Sequence, residues 1–600
     1  MTRFEKSVYF FLAALVWVYV AFRAWLVPFA HDEIATFFHY VQVEKFLPFN
    51  ALYDANNHFL NSLLTYFSFK LFGSHQFFLR LPNLLISFIY FLYLWKIGKH
   101  HISKTTFRWS FFIIMLFSHY LIEYFGYSRG YGLMSSFLMA TLYYFIHYIK
   151  ENNKKHFWLL NVFLLLSFMS SLTIFFFSIL LIMYVTMVAF YKRTHHWVYT
   201  TLNLLFWNGI FICAYIYFKI LDQNNQLYLG ENTGIWEVSV KSFLKCFVGY
   251  DNGLAQIIFA ILLILWVVIM IKHFLNLKYS RCLLKIEVVF FLLFMGSVVS
   301  YLLANFLLDV NFPTDRAVIY VFPVLVLGIV LLMDKLEQTN TIVYLPILIL
   351  LITPITFPFL LNFTHYTYID FTYDRFSGRF IQTIINKSNS DNYLPTVSGY
   401  KMRHFVYNYY NYQMGGYLPN IQYSDYPSKI SDFQIVDTTN LNIDFSKYDI
   451  IDKDEVNSYF LLERKNMLRR NLIQEIRVEK ITNNKNEFFE FYNDTNCTRF
   501  LNKNLLLEYD IKLSSEKNPF KSWVVISIFD KKNEPIVYEY YPLNWSRYSW
   551  DKNSENLKTV IYVSDVPSSS YKLVTYLWNM DEQYYDIENG KVKIYELKED

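Results

Sequence analysis

Residues 8–33 read VYFFLAALVWVYVAFRAWLVPFAHDE, and this stretch decides what kind of chain this is. From Val8 to Val27 the run is apolar except for Arg23 near its end. That is about 20 residues, a full membrane span rather than the short apolar core of a cleavable signal. Arg3 and Lys6 precede it and no small-x-small cleavage site follows, so the run reads as an uncleaved signal-anchor. Beyond its far end stand His31-Asp32-Glu33, an acidic pair at the expected membrane boundary, where ionised carboxylates are costly unless solvated or matched by cations.

Apolar runs of similar kind recur near 81–97, 108–122, 130–149, 157–169, 171–190, 198–219, 254–272, 286–308, 317–333 and 342–361, which predicts about eleven transmembrane helices. The composition agrees: of 600 residues, 54% are hydrophobic, 21% aromatic and only 17% charged, against about 25% charged in an average soluble chain. Charge is also unevenly placed. Residues 1–361 hold 25 Lys/Arg and 16 Asp/Glu, net +9, whereas residues 362–600 hold 29 and 33, net −4. The overall +5 is therefore no argument for nucleic acid. The four cysteines, Cys213, Cys246, Cys282 and Cys497, have no metal-binding spacing.

Cations cluster in alternate loops: Lys96, Lys99, Lys104 and Arg108; Lys150, Lys154 and Lys155; Lys192 and Arg193; Lys272, Lys278, Arg281 and Lys285. The positive-inside rule puts those loops and the N-terminus in the cytoplasm, and an odd number of spans then delivers the C-terminal part outside. The fold expected is a polytopic α-helical membrane protein with a C-terminal extracytoplasmic α/β plus β-sandwich region. Its predicted parts are a membrane domain over 1–361, a small α/β domain over 362–479 and a β-sandwich over 480–600. Helices are expected at 374–389 and 401–412, and strands at 505–513, 523–529, 536–541, 559–563, 573–578 and 592–595. In the sandwich, Tyr538, Tyr540, Tyr541, Trp545, Tyr548 and Trp550 are candidates for stacking on sugar rings, although sandwich cores need aromatics too. Two amphipathic stretches between the first spans, 34–46 and 58–72, are expected along the membrane interface.

Asp32 and Glu33 read either as accidental acids of a wet loop or as a general base with a partner, since a carboxylate can take the proton of an attacking hydroxyl. Downstream, in order, come Asn57-His58-Phe59-Leu60, Lys70-Leu71-Phe72-Gly73, Leu79-Arg80-Leu81-Pro82 and Tyr127-Ser128-Arg129-Gly130-Tyr131-Gly132-Leu133. With these the chain resembles, over roughly residues 1–335, the GT-C superfamily of lipid-carrier-dependent glycosyltransferases. The nearest pattern is that of the protein O-mannosyltransferase and lipid A aminoarabinose transferase group. The proline pair of the family's His/Lys-Pro-Pro-Leu-like segment is absent: Asn57 falls where the family has His or Lys, and His58 falls on a proline.

The resemblance implies a polyprenyl-phosphate-linked sugar donor and an extracytoplasmic lipid, glycan or protein acceptor, with inversion at the anomeric carbon. It makes Asp32 the catalytic base and Glu33 an acceptor or metal contact. Donor-phosphate binding falls to Arg129 and Arg316, with His58 and Asn57 beside them, because arginine donates bidentately to phosphate. Arg80 takes a structural or donor-binding role. For each arginine, snorkelling or an ion pair with Asp315 or Glu123 is the plain alternative. Some enzymes of the superfamily use a divalent cation and others do not, and no ligand cluster of defined spacing stands out in the sequence. The expected location is a bacterial cell membrane. The rival readings are a flippase of lipid-linked glycans, an oligosaccharide polymerase or ligase, and an adhesive surface protein. No inverted repeat favours the first, and a large C-terminal rather than inter-span domain disfavours the second.

Overall fold

The structure, a computed structural model, describes residues 2–192, 197–227, 230–275, 283–336, 345–361, 369, 377–391, 393–416, 418–439, 445–516, 520–545 and 555–599. The expected junction near residue 363, Tyr548 and Trp550 lie outside the described residues. The chain forms two compact units, Met1–Val27 with Glu44–Ile369, and Pro28–Val43 with Asp370–Asp600.

In chain order the α-helices are α1 (Arg3–Leu26), α2 (His31–Thr36), α3 (Phe59–Phe72), α4 (Gln76–His101), α5 (Thr105–Leu116), α6 (His119–Glu123), α7 (Gly130–Glu151), α8 (Lys154–Ser170) and α9 (Phe175–Tyr191). They continue with α10 (Trp197–Gln223), α11 (Lys241–Val248), α12 (Gly253–Leu275), α13 (Ile286–Leu308), α14 (Val321–Leu336), α15 (Leu345–Leu361), α16 (Arg379–Asp391) and α17 (His404–Gln413). All but α2, α16 and α17 belong to the first unit. Among the described residues, eight helices are long and apolar enough to cross a membrane. The count is nine if α5 and the bent segment after it, turned by 53° at Phe117–Ser118, form one broken span. Eight such helices mark an integral membrane protein. Where described, the eleven apolar runs are helical, that at 108–122 with the break just given; α8, with 17 residues, is not among the eight.

Local chemistry explains how these helices tolerate polar residues. Pro82 in α4 has no N–H to give the carbonyl of Phe78, one turn earlier. The Ser68 hydroxyl on α3 donates to that carbonyl instead, and Thr65 donates to Leu79 at 3.4 Å, so the proline break also fastens α3 to α4. At the other end of α4, the Asp334 carboxylate of α14 accepts from Ser103 and Lys104 N–H at 3.0 and 2.9 Å, fastening the residues that lead into α5. Arg108 pairs with Glu5 at 2.8 Å, which ties α1 to the same end. Helix α7 is central, with 89% of its apolar window buried, whereas α12 has 11% buried and presents its apolar surface outward.

In the second unit the strands are β1 (Val397–Tyr400), β2 (Gln422–Ser424), β3 (Phe433–Asp437), β4 (Tyr448–Lys453), β5 (Tyr459–Arg464), β6 (Arg469–Val478) and β7 (Ile481–Asn484). Then come β8 (Phe488–Asp494), β9 (Asn504–Ser515), β10 (Trp523–Phe529), β11 (Pro535–Pro542), β12 (Glu555–Val563), β13 (Lys572–Trp578) and β14 (Tyr585–Lys598). A mixed sheet ordered β2-β1-β3-β5-β4, with α16 and α17, forms the α/β part. The sandwich pairs sheet β11-β10-β13-β8 with sheet β12-β9-β14-β6. It therefore starts at Arg469 rather than near 480, because β6 pairs with β14 across Arg469–Val478.

Segment 28–43 is the unexpected part of this unit. Its apolar face is not left for the membrane interface: Phe37 and Phe38 are buried and meet Tyr409, Tyr412 and Trp545 ring to ring at 5.6–6.1 Å. Gln42 donates to the Asn544 carbonyl at 2.6 Å and accepts from the Asn544 amide at 3.1 Å, so a residue near the N-terminus is built into the C-terminal unit.

Candidate functional site

In the first unit, α3, α4 and the start of α7 enclose a polar nest. Asn83 donates to Asn61 at 2.7 Å, Asn61 donates to the Ser128 carbonyl at 3.0 Å, and the Thr65 and Ser128 hydroxyls lie 3.1 Å apart. All four side chains are buried, and their bonds hold the 127–129 turn against α3 and α4. Arg129, 2% exposed, is the extended residue at the N-cap of α7. Its guanidinium donates to the Asn56 carbonyl at 3.3 Å and to the Asn56 side chain, and lies 5.8 Å over the Tyr131 ring. Gly130 lets α8 come close: a Cβ there would sit 1.8 Å from the Ser170 carbonyl oxygen and 2.7 Å from His58 Nδ1. Gly132 does the same against the Tyr124 carbonyl, 2.2 Å from where a Cβ would lie.

His58 packs edge-on against Tyr131 at 4.7 Å, with Nδ1 3.1 Å from the Ser170 carbonyl. A carbonyl only accepts, so Nδ1 carries the proton. Burial, then the charges of Arg129 and Arg316, hold this imidazole well below its usual range, leaving it neutral. Nε2 is therefore a bare acceptor without a hydrogen bond among the described residues. That chemistry suits a hydroxyl or a protonated phosphate oxygen. Asn57 is engaged locally, donating to Phe46 at 3.3 Å and accepting from Ser62 at 3.3 Å. Arg316 is half-buried in a short 3-10 turn, near enough for its charge to act on His58.

Buried Glu123 pairs with Arg23 of α1, and Asp315 accepts from Ser242 at 2.9 Å. Arg80 donates to the carbonyls of Ala24 and Val27 at 3.0 and 2.7 Å, which satisfies the open C-terminal end of α1. Sequence reading passed over the Asn61–Asn83–Ser128 network, because isolated polar residues in apolar runs show no pattern until helices pair.

Asp32 and Glu33 fall in the second unit, in the first turn of α2. Glu33 is buried and accepts from the Ala30 N–H at 3.0 Å, closing its own helix end. Asp32 is half-buried. Around α2 the structure gathers histidines that sequence reading missed. The rings of His31 and His404 are 6.2 Å apart, and Phe405 lies 4.8 Å from His31 and 5.6 Å from His39. Burial above all, then neighbouring cations and imidazoles, pushes His39 and His404 each down to about 4, so both are neutral at pH 7.

The outer face of sheet β11-β10-β13-β8 carries an aromatic array. Trp523 stacks on Tyr540 at 4.4 Å and meets Trp578 at 5.3 Å; Phe488 lies 6.0 Å from Trp578 and 5.7 Å from Tyr576, and Tyr538 flanks Tyr540. Only Tyr538 and Tyr540 were expected there. Tyr541 points into the core and Trp545 is buried against Phe38 and Phe405. The face is assembled by alternate residues of four strands, which no single hairpin reveals.

No protein-family model matches this chain, and no curated protein matches it in sequence.

Proposed function

We propose that this protein is a membrane glycosyltransferase that moves a sugar, with inversion, from a polyprenyl-phosphate donor to an extracytoplasmic lipid, glycan or protein acceptor. The observation that carries the reading is the nest at the start of α7: a buried arginine at a helix N-terminus, a second arginine within electrostatic reach and a neutral imidazole with a bare nitrogen. A helix N-terminus and a guanidinium both favour an anion, and in a desolvated site they stabilise charge building on a leaving phosphate. Two of the segments that resemble the GT-C enzymes, Asn57-His58-Phe59-Leu60 and Tyr127-Ser128-Arg129-Gly130-Tyr131-Gly132-Leu133, contribute to this nest.

In this reading Arg129 takes the donor phosphate and Arg316 supports it. His58 accepts a hydrogen bond rather than giving one, and Arg80 closes α1. Asp32 is the base that takes the proton of the acceptor hydroxyl as its oxygen attacks the anomeric carbon and the carbon–phosphate-oxygen bond breaks. Glu33 closes the helix that carries Asp32 by accepting from the Ala30 N–H and serves as an acceptor or metal contact. The aromatic face of the sandwich matches a glycan in chemistry, because flat rings stack on the apolar faces of sugars.

The purified full-length protein in micelles, given a labelled polyprenyl-phosphate sugar and cell-envelope extract as acceptor source, is expected to release polyprenyl phosphate and label an acceptor. The Arg129→Ala variant should lose both. Movement of intact donor across liposomes without bond cleavage would replace this reading with the flippase.

A further inference from the structure

At the end of α7 remote from Arg129, about 33 Å away for 22 residues at 1.5 Å each, the α7–α8 hairpin brings together a ligand set unrelated to sugar transfer. His147 and Glu151 are one helical turn apart on α7, and His156 opens α8 across the turn at Asn152-Asn153. Asn152 takes the left-handed conformation, φ 52°, which lets the chain reverse tightly. One ligand atom from each of His147, Glu151 and His156 lies within 4.8 Å of the others.

The carboxylate presents one oxygen to each imidazole. Glu151 Oε1 is 2.7 Å from His147 Nδ1, and Oε2 is 3.3 Å from His156 Nδ1. The second contact does not qualify as a hydrogen bond: His156 Nδ1 is buried and unbonded among the described residues. A separation of 3.3 Å is instead about the edge of a tetrahedron with metal–ligand bonds of ~2.0–2.1 Å. The rings are steadied from behind, His147 by Tyr143 at 4.5 Å and His101 at 4.9 Å. His101 does not join the set, because Lys150 approaches its Nδ1 at 3.0 Å and so directs its proton to Nε2. Glu151 is 49% exposed, which gives an ion a way in and leaves room for a water.

We propose that His147, Glu151 and His156 form a site for a zinc-class divalent cation that clips α7 to α8. Two imidazoles and one carboxylate select zinc and its neighbours over magnesium or calcium, which prefer all-oxygen shells. By the distribution of Lys150, Lys154 and Lys155 this hairpin faces the cytoplasm, so the site reads the metal supply of that compartment.

The test uses the full-length protein in micelles, carrying a histidine-free tag, stripped with chelator and titrated with Co²⁺ alone. One equivalent should bind with visible ligand-field bands, and Zn²⁺ should erase them. His147→Gln/His156→Gln, which keeps polar side chains at the hairpin, should abolish saturable binding at micromolar metal, and Zn²⁺ should raise the melting temperature of the parent but not of the variant. Absence of saturable binding by the parent, or equal binding by the double variant, would overturn the proposal, and neither outcome bears on the transferase reading.

Discussion

Gly130→Ala is the sharpest structural perturbation available at the nest. The added Cβ would sit 1.8 Å from the Ser170 carbonyl oxygen and 2.7 Å from His58 Nδ1. Both must retreat, and the carbonyl belongs to the backbone at the end of α8, so the last turn of that helix has to move by about 1 Å or more. Overpacking of this kind costs ~1–3 kcal/mol. The shift also breaks the buried His58–Ser170 hydrogen bond of 3.1 Å, which adds ~1–3 kcal/mol for groups left unsatisfied. The expected loss is ~2–6 kcal/mol. Gly209→Ala on α10 is the matched control, because its Cβ meets nothing within 4 Å and a helical Gly→Ala change otherwise gains ~0.5–1 kcal/mol. Thermal unfolding of both variants in the same micelles should separate them by several degrees. If Gly130→Ala melts with Gly209→Ala, the close packing of α7 on α8 and the nest built on it are wrong.

Other consequences concern charge and the aromatic face. Burial raises Glu539 to about 7 despite its 3.1 Å hydrogen bond from Gln422, so folding favours the protonated acid. Its contribution is full below the ordinary pKa near 4.5 and is lost as pH rises through 7, at most about 3 kcal/mol; Glu539→Gln should flatten stability between pH 5 and 8, and identical pH profiles would refute this. His39 and His404 act in the opposite sense, since folded pKa values of about 4 mean stability falls as pH drops from 6.5 to 4; replacing both with Gln should soften that acid limb in a pH-resolved melt. Arg129→Lys should restore only part of the donor use lost in Arg129→Ala, because the bidentate fork is gone, and full restoration in the transfer assay would leave only a point charge at work. Trp523→Ala and Trp578→Ala should weaken retention of the folded protein on immobilised envelope glycan by roughly tenfold each, given stacking worth ~1 kcal/mol or more; unchanged retention removes sugar from that face.

Long apolar runs were legible because a span needs about 20 of them whatever its neighbours do. The run at 157–169 shows the limit, since run length does not tell a full span from the 17-residue helix α8. Strands β9 to β11 were legible from alternating β-branched and aromatic residues. Strand β6, reading RRNLIQEIRV, looks too charged for a sheet, and its place beside β14 depends on a partner more than 100 residues away. The acidic pair could be read; the housing of Asp32 could not, since residues 28–43 fold with residues beyond 370. His147 and Glu151 stand at helical i, i+4 spacing, but His156 sits in a polar turn beside Lys154 and Lys155 and gives no sign until the hairpin closes.

The central claim is that Asp32 takes the proton of the acceptor. Asp32→Asn keeps the size and hydrogen-bonding capacity of the side chain but cannot accept that proton, and a positioned base is worth ~10²–10⁴-fold in rate. Measured as donor-dependent transfer by the full-length protein, with membrane insertion and melting temperature checked alongside, Asp32→Asn should lose activity by at least about 100-fold while Glu33→Gln loses less. Near-parental turnover in Asp32→Asn would contradict the claim, leaving the pair as ordinary acids of a wet loop.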